Sequence, residues 1–205
     1  MKIALVGAES TGKSTLAGRL GQHLRSQGRS VAVVSEVLRD WCEREGREPR
    51  PDEHLAIAEE QERRVDAAAG AADIVIADTT ALMVAIWSGI LFDDHPLLRF
   101  ALERQRAYDM TLVMGLDLPW EGDGLHRDAA SRDGADELVR ALLARAGVAY
   151  RVVYGTGEDR LRNALAALPD DLAVRSSSPQ RAWKWQCDKC SDPECEHRLF
   201  TSLTR

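Results

Sequence analysis

Eight residues near the N-terminus, Gly7-Ala8-Glu9-Ser10-Thr11-Gly12-Lys13-Ser14, restrict what this chain can fold into more than any other stretch. They follow the apolar run Ile3-Ala4-Leu5-Val6 and precede a helical pattern that begins near Thr15. The spacing is G-x-x-x-x-G-K-[ST], the phosphate-binding loop, in the strand-then-helix context that gives the motif meaning. Glycines let the backbone curl round an anion with its N–H groups turned inward, and the positive end of the following helix faces the same point. On this reading Gly7, Glu9, Ser10, Thr11, Gly12, Lys13, Ser14 and Thr15 hold ATP, with Lys13 on the β- and γ-phosphates and the Ser14 hydroxyl on Mg²⁺. The four fixed positions recur by chance in about one chain in a hundred, so a Gly-rich turn without a ligand is the competing explanation.

Strand-like runs recur at Ile3 to Val6, Val31 to Val34, Ile74 to Ala77, Thr111 to Met114 and Tyr150 to Val153, with helical patterns between them. This alternation predicts an α/β protein of three layers, a mostly parallel sheet covered by helices on both faces. Leu16, Leu20 and Leu24 form the stripe of the first helix, and Leu138, Leu142 and Ala146 that of a later one stopped by Gly147. Glu43 to Pro51 reads as a charged surface loop. A helix from about Asp52 to Ala69 is expected to turn Leu55, Ala58, Val65 and Ala69 inward, with Gln61 interrupting the stripe and needing a backbone or substrate partner. The chain is long enough for one core with an appendage: a kinase-like domain over 1–170, a linker over 171–182 and a Cys/His-rich tail over 183–205.

Ligands of parallel sheets gather at the carboxyl ends of the strands, so chemistry is sought there. After the second strand stands Glu36, with Arg39 and Asp40 one helical turn on. Glu36 is a candidate general base or anchor for an acceptor hydroxyl, and equally a carboxylate stabilising a helix N-terminus. Asp78, at the end of the third strand, is the expected second protein ligand of Mg²⁺; a turn-forming Asp is the alternative. Past the fourth strand, Leu118 to Gly134 carries three glycines and two arginines and reads as a mobile flap. Arg127 and Arg132 are its candidate clamps on the charge that phosphoryl transfer spreads over equatorial oxygens, against a solvated loop with local ion pairs.

The chain has 27 basic and 33 acidic residues, a net charge of −6, which argues against a protein held on nucleic acid by bulk charge. No leader-like segment opens it and no long apolar run interrupts it, so a cytoplasmic protein without a membrane partner is expected. Three of its four cysteines crowd near the C-terminus, where Cys187, Cys190, Cys195 and His197 follow the order C-x₂-C-x₄-C-x-H. Three soft sulfurs and an imidazole suit a tetrahedral structural Zn²⁺, and a reduced tail without metal is the alternative. Trp183 and Trp185, beside Arg181 and Lys184, could stack on bases or lie against protein.

Together these motifs resemble the ribosylnicotinamide kinase domain of bacterial NadR and its stand-alone relatives among the P-loop, AAA-like ATPases. The resemblance is carried by Gly7 to Thr15, by Glu36 with Arg39, by Asp78-Thr79, by Tyr108-Asp109, and by Pro119-Trp120 followed by Asp123-Gly124-Leu125. It covers roughly residues 1 to 168. It implies transfer of the γ-phosphate of ATP to the 5′-hydroxyl of nicotinamide riboside, with Glu36, Arg39, Trp120 and Asp123 on the acceptor and Lys13, Glu36, Asp78, Arg127 and Arg132 in catalysis. His126 stands where the family's lid arginine often follows Gly-Leu, with Arg127 one place later. The rivals are a kinase for another small hydroxyl acceptor and a nucleotide-binding regulator whose tail docks a partner. Homo-oligomerisation is left open.

Overall fold

The structure, a computed structural model, describes residues 1–92, 95–120, 129–169 and 172. It divides the chain into two units, Met1–Ala173 and Val174–Arg205. The four tail residues Cys187, Cys190, Cys195 and His197 lie outside the described residues, as do Asp123 and Arg127.

The first unit runs β1 (Lys2–Val6), α1 (Lys13–Ser26), β2 (Val31–Val34), α2 (Val37–Glu45), a 3₁₀ turn (Pro51–Glu53), α3 (His54–Ala69), β3 (Ile74–Asp78), α4 (Ala81–Phe92), α5 (His95–Gln105), β4 (Met110–Met114), α6 (Ala129–Arg145), β5 (Arg151–Val153) and α7 (Gly157–Ala167). The strands form one sheet in the order β2-β3-β1-β4-β5, and every pairing is parallel. The motif-bearing strand is central: Ile3 pairs with Ile76 on one side and with Met110 on the other.

Strands buried on both faces carry near-continuous apolar runs, and β1 and β3 do so. Alternation along β1 sorts its side chains between two layers. Ile3 and Leu5 pack with Leu16, Leu20 and Leu24 of α1 and Ala164 of α7, whereas Ala4 and Val6 face Val65 of α3, Met83 and Ile86 of α4, and Val139 and Leu143 of α6. A third cluster joins Val37 of α2 to Ile57 and Ala58 of α3, Val84 and Ala85 of α4, and Leu97 and Ala101 of α5. This is the expected three-layer α/β architecture. Among the described residues no helix is long and apolar enough to cross a membrane.

Three sequence expectations change. Residues 43–45 belong to α2, which ends only at Gly46, in the left-handed conformation at φ 68 that glycine adopts cheaply. The inward stripe of α3 is His54, Ile57, Ala58, Gln61, Glu62 and Val65, and Leu55 is 42% exposed. Polar groups with partners thus occupy positions that apolar patterning assigned to others. Arg132 and Gly134 are not loop residues, because α6 begins at Ala129 and extends the buried Ala135-Val139-Leu142 stripe back towards the N-terminus.

Leu20, fully buried between α1 and the sheet, has no room to be lost without a cavity. Leu20→Ala is expected to cost about 2–5 kcal/mol in urea unfolding while leaving the fold intact.

Candidate active site

The connection from β1 runs to β2 on one side of the sheet and that from β4 runs to β5 on the other, so the carboxyl end of β1 borders the point where the winding reverses and a crevice opens. The phosphate-loop sequence bridges that crevice to α1. Gly7 has φ 140 and Gly12 φ 76, conformations that side-chain-bearing residues rarely take, and Ser10 between them has φ 53. A β-carbon on Gly7 would fall 3.2 Å from the backbone nitrogen of Met114, so the loop passes against β4 as only glycine permits. The N-cap of α1 is Gly12; it offers no side-chain cap, and the first turn of the helix carries no acidic residue. The first-turn N–H groups and their dipole are therefore left to an anion.

Lys13 Nζ donates to the carbonyls of Gly7 at 2.9 Å and Ala8 at 2.7 Å, which suspends its ammonium over the loop. Enclosure pushes its pKa below the ordinary lysine value; Glu36, Glu9 and Asp78 oppose that shift and Arg39 adds to it. Three carboxylates thus face one cation. Thr11 is buried and its hydroxyl donates to the carbonyl of Ala8 at 2.7 Å, which braces the loop, while Ser14 and Thr15 are exposed at the start of the helix.

The two neighbouring strand ends supply the acids. Arg39 donates from Nη1 to Ser14 Oγ at 3.3 Å and from Nη2 to Glu36 Oε2 at 3.0 Å, tying α2 to the first turn of α1. Glu36 is the N-cap of α2 but makes no capping hydrogen bond with its side chain. The start of that helix is held instead by buried Gln61, whose Oε1 accepts from Val37 N–H at 2.8 Å and whose Nε2 donates to the carbonyl of Ser35 at 3.3 Å. Gln61 therefore has backbone partners, and it positions the segment that carries Glu36.

Asp78 is 6% exposed, and its buried Oδ1 has no hydrogen-bond partner. An orphaned buried carboxylate oxygen whose charge acts on Lys13 of the loop, and a serine hydroxyl in the first turn of α1, are hard-oxygen donors of the kind Mg²⁺ takes together with substrate phosphates and water. Among the described residues no three His, Cys, Asp or Glu side chains gather as a metal cage of their own. Residues Ser14 and Asp78 fit the ion as partial ligands.

The turn after Asp78 contains a feature with no counterpart in the sequence pattern. Thr79 has φ 77, and a β-branched residue in that region stores about 1–3 kcal/mol of strain. Contacts on both sides overdetermine it. Thr79 N–H donates to the carbonyl of Leu5 at 3.1 Å, and Ala81 N–H donates to buried Glu62 Oε1 at 2.9 Å. Thr80 Oγ1 donates to Gln105 Oε1 at 2.7 Å, and Gln105 Nε2 donates to Thr111 Oγ1 at 2.9 Å.

The opposite flank is organised by Arg160 of α7, which is 4% exposed. Its guanidinium donates to the carbonyls of Gly155 at 2.7 Å and Thr11 at 2.9 Å and to Asp117 Oδ1 at 2.6 Å. A sequence signal for it existed: with Ala164 and Ala167 it occupies the buried stripe of α7, where an arginine is out of place. Arg132 is also buried and donates from Nη2 to the carbonyl of Leu118 at 2.8 Å. Leu118 lies against Gly12, so Arg132 shapes the wall of the loop, and Trp120, 36% exposed, stands just beyond on the same connection.

The family model for the AAA domain matches residues 2–160. The chain belongs to that family. The fold is similar to that of two solved structures of NadR, one in complex with NAD and AMP-PNP and one with NR. Both have a TM-score of 0.64; the first is 20% identical and covers 87% of this chain, the second 23% identical and covering 81%. A deoxyadenosine kinase from M. mycoides is similar at a TM-score of 0.56 and 12% identity, over 81% of this chain and 97% of that one. Among curated proteins, the signal recognition particle receptor FtsY of Mycobacterium leprae (strain TN) is 28% identical over 188 residues, 83% of this chain. This AAA-domain chain spans about half of NadR, 51% and 50% of the two solved chains, and 43% of FtsY. The architecture shared with these solved structures is the parallel α/β fold with a phosphate-loop motif after its central strand.

Two outcomes check the site's supports. Gln61→Leu orphans Val37 N–H and is expected to destabilise the protein by about 1–3 kcal/mol in denaturant unfolding. Glu62 is pushed above the ordinary carboxylate value chiefly by burial, against the bonds from Ala81 and Tyr108. Its stabilising contribution is therefore complete below its unfolded value of 4.5 and is lost as pH rises through the higher folded value. Glu62→Gln removes that dependence, so thermal midpoints of the variant should gain on those of the natural protein as pH rises from 4.5.

Proposed function

We propose that this chain is a Mg²⁺- and ATP-dependent kinase that phosphorylates the 5′-hydroxyl of a nucleoside, with nicotinamide riboside as the leading acceptor. The observation that carries the reading is Arg39, one guanidinium shared by Ser14 of the phosphate loop and Glu36 at the end of β2. It brings a carboxylate able to accept a hydroxyl proton next to the place where a terminal phosphate would be held. Similarity in fold to NadR, solved in one structure with NAD and AMP-PNP and in another with NR, supports the choice of acceptor.

The roles follow from chemistry. Amides of residues 7–14 and Lys13 bind and orient the phosphates, so that attack becomes effectively unimolecular. Ser14 and Asp78 would hold the metal ion, which would supply charge neutralisation to the phosphates. Glu36 orients the acceptor hydroxyl and takes its proton, and Arg39 holds that carboxylate in place. Trp120 is assigned to the acceptor, together with Asp123, and Arg127 is the arginine proposed to meet developing negative charge, whereas Arg132, bonded to the carbonyl of Leu118, supports the wall of the loop. Cytoplasmic NAD salvage is the setting such a reaction would have, and a zinc-bearing tail is an accessory this reading does not require.

A second reading, a nucleotide-dependent regulator, draws on the similarity to a signal recognition particle receptor. One screen separates the two: ADP release from Mg-ATP over a panel of nucleosides and other small alcohols. The kinase reading expects turnover with nicotinamide riboside, reduced at least about 100-fold in Lys13→Ala and in Glu36→Gln with unchanged thermal midpoints. Turnover retained in Lys13→Ala, or hydrolysis stimulated only by a macromolecule, overturns it.

A further inference from the structure

Arg160 makes more polar contacts than any other described side chain near the crevice, and none of the roles above uses it. Beyond the three bonds already described, its Nη2 also donates to the carbonyl of Gly115 at 3.3 Å. Asp117 completes the link by accepting from Gly155 N–H through its other oxygen, Oδ2. One guanidinium thus fastens three segments far apart in sequence: the phosphate loop at Thr11, the connection after β4 at Gly115 and Asp117, and the connection after β5 at Gly155. Close packing joins the last two again, because a β-carbon on Gly115 would collide with the ring of Tyr154.

The position of this brace gives it meaning. The carboxylates that serve metal and acceptor, Glu36 and Asp78, stand at the ends of β2 and β3, on one side of β1. The phosphates belong at β1 itself. The remainder of a nucleotide is then directed to the other side, over the ends of β4 and β5, where segments 115–118 and 154–157 form the wall. Those segments have no β-ladder of their own beyond Met114 and Val153, so their register against the phosphate loop is set by side-chain bonds. An arginine suits this task because its planar fork presents five fixed donors, while a lysine ammonium offers three on a flexible stem.

We propose that Arg160, with Asp117, is a positioning residue that registers the β4 and β5 connections against the phosphate loop and thereby sets affinity for the nucleoside part of ATP. The proposal rests on the nucleotide-binding reading given above. Its consequence is a division of labour: the loop holds the triphosphate, and the braced wall holds what is attached to it.

The test measures binding of Mg-ATP and of magnesium tripolyphosphate, which has no nucleoside, to the full chain by calorimetry. The natural protein is expected to prefer ATP. In Arg160→Lys that preference should shrink by about tenfold, through ATP rather than tripolyphosphate, in line with the loss of charge-assisted hydrogen bonds. KM for ATP should rise by a similar factor, with kcat and KM for the acceptor little changed. Asp117→Asn leaves every bond to the phosphate loop and should shift the preference in the same direction by less; it decides the matter if Arg160→Lys does not fold. A preference unchanged in both variants, or one in which both probes weaken equally as the thermal midpoint falls, overturns the proposal alone. Binding of neither probe to the natural protein overturns the nucleotide reading and the proposal with it.

Discussion

The amides at the head of α1 converge on a loop that gives them no side chain to bond. A helix beginning at Gly12, with no capping oxygen and no acid in its first turn, concentrates positive potential where β1 ends. The fold supports that arrangement from beneath. β1 is the central strand, Ile3 and Leu5 anchor α1 to it through Leu20 and Leu24, and Gly7 combines a close approach to β4 with a φ of 140 that side-chain-bearing residues rarely take. Lys13, enclosed and facing three carboxylates, belongs to the same electrostatic balance, since a bound polyanion would join the acids in favouring its charged form.

The flanks of this centre are built differently. On the β2 and β3 side, acids are held where charge must be managed: Glu36 by Arg39, and Asp78 by a strained turn locked at Thr79 through Leu5, Glu62 and Gln105. A buried carboxylate such as Glu62 is costly to ionise, and its bonds to Ala81 and Tyr108 offset only part of that cost. Strain of this kind persists where surrounding contacts overdetermine it, as functional sites commonly arrange. On the β4 and β5 side, the backbone carbonyls of three separate segments are gathered by one arginine. Each flank includes a buried charged group whose partners come from distant parts of the chain, Glu62 on one side and Arg160 on the other, and burial strengthens those bonds while making their loss more costly.

Much of the architecture was legible from periodicity and punctuation. The strand runs were placed within a residue or two at each end, because parallel strands buried on both faces are continuous in apolar character, and Leu16, Leu20 and Leu24 marked α1 for the same reason. Less legible were positions where a polar residue occupies a buried stripe. Patterning assigns Leu55 to the core of α3, yet it is exposed; Gln61, expected to point inward and to need a partner, is fully buried on the backbone at the start of α2, a partner that patterning could not name. Arg132 was read as a loop clamp, and it lies on α6 with its guanidinium on Leu118. In each case the deciding partner sits 14 to 26 residues away, beyond the reach of any local pattern.

The sequence by itself determined the phosphate-loop turn and the alternation of strand and helix, because these follow from local spacing: glycines at a bend, apolar residues in runs, leucines at four. Only the tertiary structure decided the strand order, the left-handed turn at Thr79 and the brace at Arg160. Those depend on which distant groups meet, and a buried donor or acceptor finds its partner only when the whole sheet has closed around it.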